Sequence, residues 1–156
     1  MKIYVDADAC PVKGEIVRVA ERHGLEVVLV ANSWMRTPGG STVSLQVVGK
    51  GLDSADDWIA DRVQEHDIVV TADILLAARC LGAGASVLGT TGKLFTEDNI
   101  GDAVASRELL AELREYGEKV GGPAAMKKGD RSRFLHQLDE IIRSIQRLHD
   151  PEVEKA

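Results

Sequence analysis

Short apolar runs alternate with segments of helical periodicity along most of the chain, and this alternation restricts the possible folds more than any other feature. The strand-like runs are residues 2–6, 25–31, 42–48, 67–71 and 85–88. Strands that alternate with helices predict an α/β fold with a largely parallel sheet. Right-handed crossover connections then place helices on both faces of the sheet. We therefore expect a three-layer α/β/α fold with four or five mostly parallel strands and additional C-terminal helices.

Helix signals lie between these runs. Pro11 suits a first helical position and Gly24 suits the residue just past a helix end, so the first helix is expected between them. Ser54 to Asp57 resembles a capping box with Ser54 as the N-cap. The later helices are expected over residues 73–81, 97–116 and 130–149, the first of them opened by Asp73.

Aspartates gather where the predicted strands end. Asp6 and Asp8 follow the first strand, Asp53, Asp56 and Asp57 follow the third, and Asp73 follows the fourth. Because ligands of such sheets bind outside the carboxyl ends of the strands, these acids are expected at the usual site of function. Clustered carboxylates repel one another, and a Mg²⁺ or Mn²⁺ ion relieves that repulsion. The pattern predicts a metal site formed by Asp6, Asp8, Asp56, Asp57 and Asp73, suited to phosphodiester chemistry.

Helix capping is the competing interpretation of the same acids. Asp is common at N-caps and in first helical turns, where it accepts hydrogen bonds from free N–H groups. Asp56, Asp57 and Asp73 could all be explained in this way. Asp6 is harder to explain as a cap, because it directly ends an apolar strand.

Charge is distributed unevenly in this chain, whose net charge is −6. Residues 1–116 carry 11 Lys and Arg against 18 Asp and Glu, whereas residues 117–147 carry seven basic residues against four acids. A basic C-terminal arm that contacts phosphates is one interpretation, and a solvated helix face is the other. Lys13, next to the first acids, and Lys93, in a glycine-containing loop, are candidate phosphate contacts. Asn32 follows the second strand and is a candidate for orienting the substrate.

Neither cysteine belongs to a CxxC motif, which indicates free thiols in a reducing compartment. Cys10 and Cys80 are both expected to pack in the interior. Trp34 and Met35 are expected to cover the sheet edge, with stacking on a base as the alternative. No run of apolar residues is long enough to span a membrane, and Asp6 and Asp8 interrupt any leader-like start, so we expect a cytoplasmic protein.

Several motifs together resemble the YaiI/YqxD family of bacterial proteins. They are VDADACPV at 5–12, GLDSADDWI at 51–59, HDIVVTADILLA at 66–77, GGP at 121–123 and KKGDRSRF at 127–134. That family is similar to PIN-like domains, many of which are metal-dependent ribonucleases. The resemblance implies that Asp6, Asp56 or Asp57, and Asp73 are the site acids, and that Thr71 belongs to a Thr/Ser-x-Asp motif that contacts substrate. Asp8 lies outside the PIN pattern, and Asp98 and Asp102 match a fourth acid only by position.

Three functional hypotheses follow. The first is an RNA nuclease that depends on Mg²⁺ or Mn²⁺, with Asp6, Asp8 and Asp73 as catalytic acids. The second is a phosphohydrolase similar to the haloacid dehalogenases, in which Asp6 is the nucleophile of a DxD motif and Asp8 the acid/base. The third is a non-catalytic module that binds RNA or protein. In each case residues 1–116 are expected to form a PIN-like α/β core, and residues 117–156 a connecting loop and a C-terminal helix packed on the same domain.

Overall fold

The fold is described by a computed structural model that covers residues 1–51, 53–117 and 126–148. Its strands are β1 (Lys2–Asp6), β2 (Glu26–Ala31), β3 (Val43–Val47), β4 (Ile68–Val70), β5 (Ser86–Leu88) and β6 (Leu94–Phe95). Its α-helices are α1 (Lys13–His23), α2 (Ser54–Arg62), α3 (Ile74–Gly82), α4 (Glu97–Glu115) and α5 (Lys128–Leu148), and a short 3-10 helix spans Ala7–Ala9. The GGP motif at 121–123 and Lys119 of the basic arm lie outside the described residues.

The strands form one sheet in the order β3-β2-β1-β4-β5-β6. Every neighbouring pair is parallel except β5 and β6, which run antiparallel. The predicted α/β class with a mostly parallel sheet is therefore confirmed. The described sheet has six strands rather than four or five, because the two residues of β6 are too few to produce a recognisable apolar run.

Strand residues alternate between two apolar cores, as the period of two in a β-strand requires. Ile3 and Val5 of β1 pack with α1 and α5 on one face. Tyr4 of the same strand packs with α2 and α3 on the other. Burial on both faces explains why the central strands are continuous apolar runs in the sequence. By the same alternation, Asp6 lies on the face of Tyr4, where α2 and α3 begin.

Two predicted helix starts are wrong. Helix α1 begins at Lys13 with Val12 as the N-cap, two residues later than Pro11. The N-cap of α2 is Asp53 rather than Ser54, and its side chain makes no capping hydrogen bond. Asp53 has a φ of 64°, a left-handed conformation that Asp tolerates better than most residues. This backbone turn moves the helix start by one residue, which a pattern of residue types does not reveal.

The last two helices pack very differently. Helix α5 buries Phe134, Leu138 and Ile142 fully against the sheet. Helix α4 buries none of its 19 residues fully, although Ile100 and Ala103 pack at the edge of the core shared by α2 and α3. The loop between β5 and β6 contacts α5 through Gly92, whose φ is 91° and whose position leaves no room for a Cβ atom. Within the described residues, no helix has the length and apolar character needed to cross a bilayer.

Candidate functional site

The order of the strands indicates that a site lies at the carboxyl ends of the two central strands, β1 and β4. The chain leaves β1 towards β2 and β3 on one side, and it returns to β4, β5 and β6 on the other. Ligands of such folds bind at the point where the strand order reverses, which here is the carboxyl ends of β1 and β4. Asp6 ends β1, and Asp73 stands three residues beyond the end of β4.

Thr71 links these two acids. Its buried hydroxyl donates a hydrogen bond to Oδ2 of Asp6 at 3.0 Å and accepts one from the backbone N–H of Asp73 at 3.0 Å. The carboxylate of Asp73 in turn accepts hydrogen bonds from the backbone N–H groups of Leu75 and Leu76, at 2.9 and 3.2 Å. Asp73 is thus the N-cap of α3, as the capping interpretation expects, and it also neighbours Asp6. The cap is confirmed, and the metal-site interpretation of this residue stays a prediction.

Asp56 completes a group of three acids. From the first turn of α2, its half-buried carboxyl lies close enough to Asp73 for the two charges to interact. Loss of hydration and the charge of Asp73 are the main causes that raise the pKa of Asp56 to about 7, and the charges of Asp6 and Asp53 add to them. Burial also raises the pKa of Asp6, helped by the charges of Asp73 and Asp8 and opposed by the hydrogen bond from Thr71. We call Asp6, Asp56 and Asp73 the acid cluster.

Asp57 points elsewhere. Its carboxylate forms an ion pair with Arg79 of α3 at 2.8 Å, and 61% of its side chain is exposed. Of the two adjacent acids in α2, the structure therefore brings Asp56 to the other acids and turns Asp57 towards Arg79. The helical spacing of about 100° per residue explains this division.

Asp8, Asn32 and Lys13 hold the loop after β1. Oδ2 of Asp8 accepts a hydrogen bond from the backbone N–H of Asn32 at 2.9 Å, which ties the ends of β1 and β2 together. The ammonium group of Lys13 donates to the carbonyl oxygens of Ala7 and Cys10, at 3.2 and 3.0 Å. Lys13 thus supplies hydrogen-bond donors to two backbone carbonyls of this loop. The negative charge of Asp8 still acts on Asp6.

The donor set suits a hard divalent cation, because it consists of carboxylate oxygens. As the side chains stand, no group of three or more His, Cys, Asp or Glu among the described residues has an arrangement that would hold a metal ion. The residues therefore fit a cation in donor chemistry, and coordination would require their side chains to rearrange.

A cleft opens beside the acid cluster, and the sequence analysis did not anticipate it. It has a volume of about 650 Å³ and lies between the start of α3 and one face of α4. Ala72 and Ile74, the chain neighbours of Asp73, form one wall. Its charged lining residues are Lys93, Asp102, Arg107 and Arg114, and we call it the cationic cleft. Arg107 and Arg114 gave no sequence signal, because seven-residue spacing on an amphipathic helix is common.

Three of the six described basic residues of the C-terminal arm form internal ion pairs. Arg131 contacts Glu15 at 3.1 Å, Arg133 contacts Asp130 at 3.1 Å and Arg143 contacts Asp139 at 2.8 Å. These pairs favour the interpretation of the arm as a solvated helix face. Of the predicted phosphate contacts, Lys93 is the one that lines the cationic cleft, where it also lies over the ring of Phe95 at 5.6 Å.

The expectations for the two cysteines and for residues 34 and 35 have different outcomes. Cys10 and Cys80 are buried free thiols, and burial raises the pKa of each to about 11, consistent with a packing role. Met35 packs against the core as expected. Trp34 does not cover the sheet edge, since 76% of it is exposed.

Comparison with known proteins identifies the family. Residues 4–144 match the model described as the uncharacterised YaiI/YqxD family. The chain is 58% identical over 145 residues to a UPF0178 protein of Rhizobium meliloti (strain 1021), covering 93% of this chain and 99% of that protein. It is 55% identical over 150 residues to a UPF0178 protein of Parvibaculum lavamentivorans, covering 96% and 99%. No solved structure matches significantly. The chain therefore belongs to the YaiI/YqxD family.

Proposed function

We propose that this protein is a phosphodiesterase that depends on a divalent cation, Mg²⁺ or Mn²⁺, and cleaves RNA at the acid cluster. One observation carries the proposal. Carboxyl groups from three separate elements come together at the carboxyl ends of β1 and β4, where Thr71 links Asp6 to Asp73 and the charges of Asp73 and Asp6 act on Asp56. Capping alone would require no such arrangement, because the side chain of Asp6 makes no capping hydrogen bond at the 3-10 helix and Asp56 is not the N-cap of α2.

The cost of this arrangement supports a functional role. Bringing like charges together and removing them from water destabilises their ionised forms, and Asp56 shows the effect in its raised pKa. Perturbed carboxyl groups in a crevice are typical of functional sites. A protein without such a function would gain stability by replacing one of these acids with a neutral side chain.

Asp6, Asp56 and Asp73 are the residues that would hold the cation. A divalent ion bound there would lower the pKa of a water molecule and neutralise charge on the phosphate. The protein's own contribution is to hold the oxygens in place. Thr71 fixes Asp6, and two backbone N–H groups of α3 fix Asp73, so two of the three carboxyls are anchored independently. In the metal-free protein Asp56 can bind and release a proton near neutral pH, and a bound cation would hold its carboxyl ionised.

Thermal unfolding with added cation tests the metal site without knowledge of the substrate. A ligand that binds only the folded state at a hundredfold excess over its Kd stabilises by ~2.7 kcal/mol. For a chain of this size that corresponds to a rise of ~5–10 °C in Tm. We expect Mn²⁺ to produce such a rise in the Tm of the wild type. Most of this rise should be absent in Asp6→Asn, Asp56→Asn and Asp73→Asn.

Asp57→Asn is the matched control, because it makes the same change one residue away on the same helix. It should keep the Mn²⁺ response and the Mn²⁺-dependent cleavage of a labelled single-stranded RNA, whereas Asp56→Asn should lose both. Equal responses of all four variants would contradict the metal site. Phosphate trapped covalently on Asp6 would instead favour the aspartyl-phosphate mechanism.

A further inference from the structure

The cationic cleft concentrates positive charge in a protein whose net charge is −6. Lys93, Arg107 and Arg114 contribute three positive charges, and Asp102 is the acid among its lining residues. None of the three cations forms an ion pair with an acid anywhere in residues 1–51, 53–117 and 126–148. The arginines of α5 described above do form such pairs. The cleft therefore holds cations whose charge the described protein does not neutralise.

Helix α4 presents two of these cations, Arg107 and Arg114, on one face. Asn99, Ala103, Arg107, Leu110 and Arg114 line the cleft at helical spacings of three and four residues, which puts them on one face. Arg107 and Arg114 are seven residues apart, about 10.5 Å along the helix axis. Lys93 adds a third cation from the loop before β6. This face of α4 lines an open cleft, and the helix buries none of its residues fully.

The shape of the site argues for a single strand. A row of cations in a groove suits the backbone of single-stranded nucleic acid, whose charge is spaced along its length. The volume of about 650 Å³ is that of a small-ligand pocket, so the cleft admits a segment of one strand and not a double helix. Its wall at Ala72 and Ile74 flanks Asp73, so a strand lying there would continue directly to the acid cluster.

We propose that the cationic cleft binds the phosphate backbone of single-stranded RNA, with Lys93, Arg107 and Arg114 as the phosphate contacts. The further statement that the strand runs from the cleft to the acid cluster for cleavage rests on the function proposed above. Binding itself does not, because the cations belong to other elements than the three acids.

The test measures binding to a labelled oligouridylate by fluorescence anisotropy, in the presence of a chelator so that no divalent cation contributes. The double variant R107A/R114A should bind more weakly and show a flatter salt dependence. Each phosphate contact on a single strand contributes ~0.7 to the slope of log K against log salt, so the loss of two contacts should reduce the slope by about 1.4. R107K/R114K, which keeps the charge, should retain most of the slope.

The control is R18A/R22A, which removes two exposed arginines from α1 on the other side of the sheet. It should bind like the wild type. Equal binding by R107A/R114A and wild type would overturn the cleft assignment, as would affinity for a mononucleotide as high as for a longer strand. If R107A/R114A loses binding while Asp56→Asn and Asp73→Asn still cleave RNA, the cleft stands and the proposed reaction centre fails.

Discussion

At the scale of single residues, Asp56 and Asp57 differ only in where their helix turns them. Both are aspartates in the first turn of α2, and the sequence offers either as the site acid. One meets Asp73 and has a pKa raised to about 7, whereas the other pairs with Arg79. The distinction depends on the rotation of α2 over the sheet. The N-cap of this helix is Asp53, one residue earlier than the expected Ser54.

The position of Asp56 predicts a pH-dependent stability in the metal-free protein. Because the pKa of Asp56 is about 7 when folded and 3.8 ordinarily, the folded state binds this proton more tightly than the unfolded chain does. The free energy of unfolding should therefore fall as pH rises from about 4 to about 7. Asp56→Asn removes that loss, so in chelator it should be more stable than wild type at pH 8, by a margin that shrinks at pH 5.

Denaturant unfolding of both proteins at the two pH values measures the effect. Asp57→Asn, which loses an exposed ion pair, should change stability by no more than about 1 kcal/mol, and similarly at both pH values. A margin for Asp56→Asn that is absent at pH 8, or equal at pH 5, would contradict the raised pKa.

At the scale of elements, the sequence predicts those features that depend on residue type. The five longer strands lie within one or two residues of the expected runs, and Asp73 caps α3 as expected. The acid cluster was predictable in part, because parallel strands bring their carboxyl ends to one edge. The cationic cleft was not, since it depends on the gap that α4 leaves beside α3. Leu109 and Leu110 of α4 are both exposed.

The packing of α4 and α5 predicts very different costs for removing an apolar side chain from each. Phe134→Ala empties a fully buried position of α5 and should lower the free energy of unfolding by ~3–5 kcal/mol. Leu109→Ala, on an exposed position of α4, should change it by less than ~0.5 kcal/mol. Guanidinium unfolding followed by circular dichroism compares them. A comparable loss in both variants would mean that α4 packs as tightly as α5.

At the scale of the whole molecule, the sheet separates the candidate site on one face from a packing layer on the other. The acid cluster and the cationic cleft lie on the face covered by α2, α3 and α4. The opposite face, under α1 and α5, contributes core residues and surface ion pairs. Gly92 is where the two sides meet, because the loop that carries Lys93 rests on α5 at this residue.

Gly92→Ala tests this connection. A Cβ atom there would lie 2.8 Å from the backbone nitrogen of Phe134 and 2.8 Å from Cγ of Arg133, and the φ of 91° is strained for alanine. We expect a loss of at least ~1 kcal/mol of stability together with weaker binding of the labelled oligouridylate. Gly14→Ala, in α1 with no atom within 4 Å of its added Cβ, is the control and should bind normally. Normal binding by Gly92→Ala would show that Lys93 is placed independently of α5.

The contact at Gly92 makes α5 a brace for a cleft that it does not line. Substitutions in α5 would then weaken the binding of RNA before they lower the rate of its cleavage. If the proposed cleavage holds, variants of α5 that keep the fold should raise KM for RNA and leave kcat unchanged, because Thr71 and α3 anchor the acids while the loop of Lys93 rests on α5. In this sense the basic arm that the sequence suggested as an RNA contact would influence RNA affinity without touching RNA.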